Sequence, residues 1–316
     1  MPKLTTAFAT SHRLWVAAME EASRGGGKDA GLDHLLLALT IDDGTAGQVL
    51  RASGVTLERA REAIAAQHRE QLGSLGLDVE PLSDGPISLG DATGFDWTDQ
   101  ARAIMTRATA IGETGATAAV LRALLVEPSG FVTAVLHRLH TTPESIGDLL
   151  AQASALPVTV PPAPSDDPFH RSTTAFVPAT PGATWALVSD PLRLPEWDAA
   201  TASVAPGAAG VWIAPPQDGR AGELGPPHAT VDADESRRVA HWTFWWPESL
   251  RPTNRRHVIF TLEPAAPGTS LRVDATWETA STRRRWWYPA ARPFFRALLW
   301  FQVTRVASSV SAALRG

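Results

Sequence analysis

No cysteine occurs among the 316 residues, so neither a disulfide framework nor a thiolate nucleophile or metal ligand is available. Lysine is almost as scarce, Lys3 and Lys28 standing against 26 arginines, a bias expected of a GC-rich bacterial genome. Gly25-Gly26-Gly27-Lys28 therefore holds the one lysine beside a glycine run, and the wider phosphate-loop pattern fails around it. That motif needs glycine where Ala22 stands, Ser or Thr where Asp29 stands, and a strand before it where this chain has a helical pattern. An ATPase is excluded on these grounds. No run of ~18 uninterrupted apolar residues occurs, so no membrane-spanning helix is expected. Met1-Pro2-Lys3-Leu4-Thr5 lacks the basic-then-apolar order of a secretory leader, and a cytoplasmic protein is the expectation.

The net charge of -5 is unevenly spread. Residues 1–155 carry 12 basic against 19 acidic side chains, residues 156–316 carry 16 against 14, and neither half has the dense basic surface that nucleic acid requires. One local exception runs from Arg283 to Gly316, with seven arginines, no acid and several aromatics, including Arg283-Arg284-Arg285-Trp286-Trp287-Tyr288. Such a cluster suits a membrane interface or a solvated loop. Without a clear amphipathic helix the loop is preferred, and no membrane partner is expected.

Proline marks the division of the chain. Pro157, Pro161, Pro162, Pro164 and Pro168 fix φ and remove backbone donors, which favours an extended spacer. The domains are therefore set at 1–153 and 169–316, joined by a linker at 154–168. The stretch from Gly73 to Gly94, rich in Gly, Pro, Ser and Asp, reads as a long surface loop within the first domain.

The first domain reads as helical and duplicated. Leu14, Ala17, Ala18 and Ala22 recur at helical spacing until Gly25-Gly26-Gly27. Leu32, Leu35, Leu36 and Leu39 form a second stripe, Val49 and Leu50 a third, and Leu57, Ala60, Ile64 and Ala65 a fourth, giving four short helices. A comparable order returns in Ala101-Arg102-Ala103-Ile104-Met105, Ala118 to Leu125, and Val135-Leu136-His137-Arg138-Leu139. His34, alone beside a leucine stripe, is read as a structural residue whose ring bonds neighbouring carbonyls.

Gly31-Leu32-Asp33-His34-Leu35-Leu36-Leu37-Ala38-Leu39 resembles the Gly-Thr-Glu-His-Ile-Leu-Leu-Gly-Leu stretch of the N-terminal domain of Clp (Hsp100) unfoldases of the ClpA/ClpC type. Ala119 stands where the second repeat of that family carries its histidine. The resemblance implies an all-α double four-helix repeat that docks adaptors, substrate segments or cyclic peptides near the starts of the first helices of the two repeats. The matching positions are Leu4 and His12, with Phe8 alongside, and Trp97 and Arg102. Leu4 and His12 replace the family's phenylalanine and arginine; Trp97 and Arg102 keep an apolar and a cationic character. The alternative to docking, that Trp97 and Phe8 simply staple helix ends, stays open.

The second domain reads as α+β. His170 to Val177 is a strand, Thr180-Pro181 starts a helix with an N-cap threonine and a first-turn proline, and strand-like runs follow between Gly, Pro and Asp turns. Ala240, Trp242, Phe244 and Trp246 alternate onto one face, as do Val258, Phe260 and Leu262, and Leu271, Val273, Ala275 and Trp277. A long helix is expected after Pro293, its stripe of Phe295, Leu299, Val303, Val306, Val310 and Leu314 lying on the apolar sheet face. This order, with Ala179-Thr180-Pro181, Trp185, Ser189-Asp190-Pro191, Arg193 and Pro195-Glu196-Trp197, resembles the START-like SRPBCC superfamily, which includes polyketide cyclases and dehydrases. The resemblance implies a helix-grip fold with a cavity for an apolar or aromatic small molecule.

Trp242, Phe244, Trp246, Val258, Phe260, Val273, Trp277, Phe295 and Leu299 are the expected ligand-lining set, and a filled core is the equal alternative. The inward sets contain no acid or base. His228, His241, His257 and Tyr288 have no partner at a recognisable spacing, so no catalytic residue is assigned. His137-x-x-His140 lacks a third ligand, and neither a metal nor another cofactor is expected. The chain is thus read as a non-catalytic binding protein, taking a peptide or Clp adaptor with one domain and an apolar small molecule with the other. Two alternatives stay open: a cyclase- or dehydratase-like enzyme with an accessory Clp-like domain, and a ligand-controlled regulator of Clp proteolysis.

Overall fold

The computed structural model describes residues 2–77, 85, 87, 96–110, 117–155, 167, 169–216, 225–249, 255–278 and 288–315. The side chains of residues 2–10, 109, 110 and 288–292 lie outside that description. Two compact units divide the chain, residues 1–158 and 159–315. Of the expected linker, residues 156–166 and 168 lie outside the described residues.

The first unit contains α1 (Pro2–Arg24), β1 (Asp29–Ala30), α2 (Leu32–Thr40), α3 (Thr45–Ala52) and α4 (Leu57–Ser74). After them come β2 (Asp96–Trp97), α5 (Asp99–Ala110), α6 (Thr117–Leu125), α7 (Phe131–Arg138) and α8 (Pro143–Ala155). Helices α2 and α6 are apolar around most of their circumference, and helices of that composition are stable only when enclosed. Accordingly α2 packs against α1, α3, α4, α5, α6 and α7, and α6 packs against α3, α5, α7 and α8 as well. Both are buried almost throughout.

Three details depart from the sequence reading. Helices α1 and α4 are not short, running 23 and 18 residues, because Ala, Glu, Gln and Arg extend α4 beyond its buried stripe. The expected loop at 73–94 begins inside α4, and 78–84, 86 and 88–95 lie outside the described residues. The unit is also not purely helical. Asp29 pairs with Asp96 and Ala30 with Trp97 in a short parallel ladder, which gives the backbone just ahead of α2 and α5 its hydrogen bonds.

His34 proves to be a capping residue. The Gly31 amide lies 3.1 Å from its Nδ1, an amide partner in place of the carbonyls expected, and Asp33 Oδ1 lies 2.9 Å from the same nitrogen. Helix α7 ends at Arg138, and His140 beyond it adopts φ 60°, so the two histidines of the His-x-x-His pair do not share a helix.

The second unit is α+β, in a helix-grip arrangement. Its elements are β3 (His170–Val177), α9 (Pro181–Ser189), a 3-10 turn (Pro191–Arg193), α10 (Leu194–Trp197), β4 (Ala205–Pro206) and β5 (Trp212–Ile213). Strands β6 (His228–Asp234), β7 (Val239–Trp245), β8 (Arg255–Ala265) and β9 (Gly268–Glu278) precede α11 (Tyr288–Ala313). Seven antiparallel strands take the order β3-β9-β8-β7-β6-β5-β4, which places the first strand beside the last. Helix α11 crosses β3 and β9 and meets α9 and α10.

Thr180 caps α9 as expected, its Oγ1 accepting the Ala183 amide at 3.2 Å with Pro181 at the first helical position. Leu299, Val303, Val306 and Val310 are buried, whereas Phe295 and Leu314 are half-buried. Helix α11 starts at Tyr288, five residues before the expected point, and so contains Pro293.

Truncating Leu36, fully buried in α2, is expected to cost roughly 2–5 kcal/mol as Leu36→Ala. Leu75→Ala, at a residue 74% exposed, should stay within about 0.5 kcal/mol. Urea denaturation followed by helical circular dichroism checks both.

Candidate functional site

The site in the second unit is assembled by a rigid corner. Asp190 Oδ1 accepts the Leu192 amide at 2.9 Å, and Arg193 grips Glu196 through Nε–Oε1 at 2.8 Å and a second bond at 2.6 Å. These bonds fix the turn between α9 and α10, and Trp197 and Asp198 come off the end of it pointing inward, both buried.

Trp197 closes the deep part of the core. Its ring meets Trp242 edge-on at 5.4 Å and Phe260 at 5.0 Å, while Trp242 stacks on Phe244 at 5.9 Å. Trp242 Nε1 donates to the Val188 carbonyl at 2.8 Å. Asp198 meets Arg256, whose guanidinium approaches its Oδ2 to 2.9 Å and lies 3.9 Å from the centroid of Phe244. Thr201 donates a further bond to that oxygen at 3.1 Å. The two charged side chains are only 14% and 8% exposed, Arg256 first.

Arg256 adds a charged residue to the inward row, for which the sequence reading named no His, Asp, Glu or Tyr. Sheet register places it between Phe244 and Trp277, one step back along the alternation that continues as Val258, Phe260 and Leu262. Period-two alternation continued two residues back from Val258 reaches Arg256.

The nine expected ligand-lining residues separate by depth. Trp242, Phe244, Val258, Phe260, Val273 and Leu299 are fully buried, packed on one another or on α11. Trp246, Trp277 and Phe295 are half-buried and lie toward the Phe244–Arg256–Trp277 end of the sheet. Trp246 falls just beyond β7 and so is not a ladder residue. Trp277 and Phe295 stand edge-to-face at 6.4 Å, and Phe295 meets Phe169 at 5.4 Å. Leu299, Val303 and Ala275 form a small cluster with Trp277, separate from the main core. Among the described residues the deep end is fully buried and the Trp246, Trp277 and Phe295 end half-buried.

The opposite sheet face holds the histidines. His257 Nδ1 lies 3.1 Å from His241 Nε2 and 3.2 Å from Thr243 Oγ1, and its Nε2 lies 3.4 Å from Glu278 Oε2. His228 packs edge-on against Trp245 at 5.8 Å. Histidines expected to lack partners thus have them, through a diagonal pairing that only strand register reveals. Tyr288 has its side chain outside the described residues. Among the described residues no group of three or more His, Asp or Glu is placed to hold a metal ion, and no helix is long and apolar enough to cross a membrane.

In the first unit, Leu4 and Phe8 lie on α1 with side chains outside the described residues. His12 stacks on Trp15 at 6.2 Å, and Trp97 is half-buried against the helical core. Arg102 pairs with Asp96 at 2.8 Å and Asp99 at 3.2 Å and donates to the Trp97 carbonyl at 3.1 Å. Its charge is therefore balanced locally. A depression of about 120 Å³ opens on the same helix, lined by Leu32, Ala103, Ile104, Arg107, Glu127 and Pro128 among others. Glu127 is not available to a ligand, because its carboxylate accepts the amides of Ser129 and Val132 and the Ser129 hydroxyl. Sequence reading missed this depression, since it joins three segments far apart in the chain.

No family model matches the chain, and no curated protein matches it. Solved structures do. A START superfamily protein from Mycobacterium smegmatis is 15% identical, with 46% of this chain and 97% of that one covered and a TM-score of 0.35. The N-terminal domain of the caseinolytic protease-associated chaperone ClpD from Arabidopsis thaliana is 18% identical, over 45% of this chain and 90% of that one, with a TM-score of 0.34. The protein XoxI from Bacillus cereus is 11% identical over 46% and 96%, with a TM-score of 0.36. Each covers under half of this chain.

Removing Arg256 leaves the Asp198 carboxylate buried beside aromatic rings, so Arg256→Met should destabilise the protein by about 3 kcal/mol or more. Adding Asp198→Asn should recover much of that loss in a double-mutant cycle. A second expectation concerns pH. Partial burial, and after it the neighbouring His257, hold the His241 pKa below its ordinary 6.5. The unfolded chain therefore takes up a proton that the folded chain refuses. Stability should be full above pH ~6.5 and fall as the pH drops toward the lowered folded value. His241→Gln should flatten that part of a melting-temperature profile.

Proposed function

We propose that this chain is a non-catalytic binding protein built from two recognition units, a START-like module for an apolar small molecule and a Clp N-terminal-like module for a peptide segment. The observation that carries the first part is the half-buried group of aromatics at one end of the sheet. Trp277 and Phe295 present ring surface there, the deeper aromatics are closed behind them, and a charge-balanced polar group stands between Phe244 and Trp277. An apolar wall with few, fixed polar groups is the usual make-up of a small-molecule site. The superfamily motif at Asp190-Pro191, Arg193 and Pro195-Glu196-Trp197 supports the reading, because those residues form the corner that delivers Trp197 and Asp198 to the interior.

For the first unit, support comes from the apolar depression on α5. Its size suits one aliphatic side chain of an extended segment. The enzyme reading is favoured by one observation alone, the inward Arg256–Asp198 pair. Asp198 already accepts from both Arg256 and Thr201, however, which leaves it a poor general base.

With the intact chain, Trp277→Ala should weaken binding of 2-ethylnaphthalene at least fivefold, read by quenching of tryptophan fluorescence. Absence of binding by the unaltered protein contradicts the small-molecule part. Ala103→Glu, an exposed position that fills the depression, should weaken binding of fluorescein-labelled unfolded casein at least fivefold in anisotropy titrations. An unchanged affinity removes the depression from the peptide reading.

A further inference from the structure

The outer face of the second unit's sheet carries chemistry that neither binding reading uses. Strand register sets Asp232 of β6 opposite His241 of β7, and Thr243 of β7 opposite His257 of β8. His241 and His257 thus stand on a diagonal, on the face away from Trp242 and Val258. Their rings meet through nitrogen. His241 Nε2 lies 3.1 Å from His257 Nδ1, with ring centroids 5.3 Å apart and planes tilted by 44°. Both residues are half-buried, so neither is sealed in the core.

Two imidazole nitrogens bound to one divalent ion at about 2.0–2.1 Å stand about 2.9–3.3 Å apart, for bond angles from square to tetrahedral. The pair already has that spacing. The far nitrogen of His257 meets Glu278 Oε2 at 3.4 Å. A carboxylate in that position is the usual support of a ligating histidine, because it fixes the tautomer that leaves the near nitrogen's lone pair bare. Thr243 Oγ1, 3.2 Å from His257 Nδ1, is the hydroxyl partner of that nitrogen without an ion. Positions bordering the pair in register hold Asp232 and Glu278 against one cation, Arg255. Asp274, farther along the face, is taken up by Arg272 and His170.

We propose that His241 Nε2 and His257 Nδ1 form a two-point chelating site for a divalent late transition metal ion, copper(II) most strongly and nickel(II) or zinc(II) below it. Imidazole suits these ions, and copper(II) heads their affinity order. Two side chains are fewer than the three or four of a resident zinc site, so water completes the coordination and the ion exchanges. The ion clasps β7 to β8. It binds the folded chain more tightly than the unfolded one, in which residues 16 apart hold no fixed spacing, and so stabilises the fold. The site is independent of the small-molecule and peptide readings.

The intact, chelator-treated chain is titrated with copper(II) against a competing ligand. The unaltered protein should bind one ion at least tenfold more tightly than His241→Gln or His257→Gln. The double variant should bind no more weakly than either single one, because losing one ring abolishes the chelate. Electron spin-echo modulation should show two imidazoles on the bound copper(II) of the unaltered chain, a readout that a general loss of stability does not mimic. Zinc(II) should raise the melting temperature of the unaltered chain and leave both single variants unmoved. Glu278→Gln should weaken copper(II) binding about tenfold. An affinity that neither histidine substitution moves, or losses that add across the two, overturns the site in favour of separate surface histidines. A single imidazole on the bound ion overturns the chelate, and an affinity unmoved by Glu278→Gln removes that carboxylate from it.

Discussion

The ion pair between Asp198 and Arg256 is the constraint on which the second unit's chemistry turns. An arginine in the inward row of a seven-stranded sheet would be intolerable alone, and Asp198 makes it tolerable only because the corner at Asp190, Arg193 and Glu196 delivers the carboxylate to it. The pair also divides the sheet's inner face. Behind it Trp197, Trp242 and Phe260 lock edge to face; in front of it Trp277 and Phe295 stay half-exposed. Replacement by a well-packed hydrophobic pair would make a more ordinary core. The ion pair stands at the boundary between the fully buried and the half-buried aromatics.

The first unit depends on a different condition, the enclosure of two helices that are apolar nearly all round. Once α2 and α6 are surrounded, the remaining helices have little freedom, and the small parallel ladder of β1 with β2 ties the backbone ahead of α2 to that ahead of α5. Arg102, bridged to Asp96 and Asp99, then contributes to the start of α5 more as a local clasp than as a free cation. The apolar depression lies on the same helix.

Much of the architecture could be read from residue spacing. Period-two alternation placed Trp242, Phe260 and Val273 on one face, and the Thr180-Pro181 cap announced α9, because both signals are local. What escaped was whatever depends on pairing. Arg256 precedes the apolar run of β8 and carries no hydrophobic signal of its own, and the His241–His257 contact is diagonal across two strands whose register no single strand encodes. Trp246 was assigned to the inner face by continuing an alternation beyond the end of its strand. Pro293 suggested a helix start, whereas α11 accommodates it internally. The depression on α5 combines residues from positions 32, 103 and 128, a juxtaposition that spacing cannot express.

Hydrogen exchange on the intact chain, with and without 2-ethylnaphthalene, tests the central claim most directly because it reports where a ligand sits. The account predicts slowed amide exchange at Arg255–Val258 of β8, at the Trp277 end of β9 and in the first half of α11, with no change around β4 and β5. Protection elsewhere in the second unit, or none anywhere, would contradict a ligand site at the half-buried aromatic end.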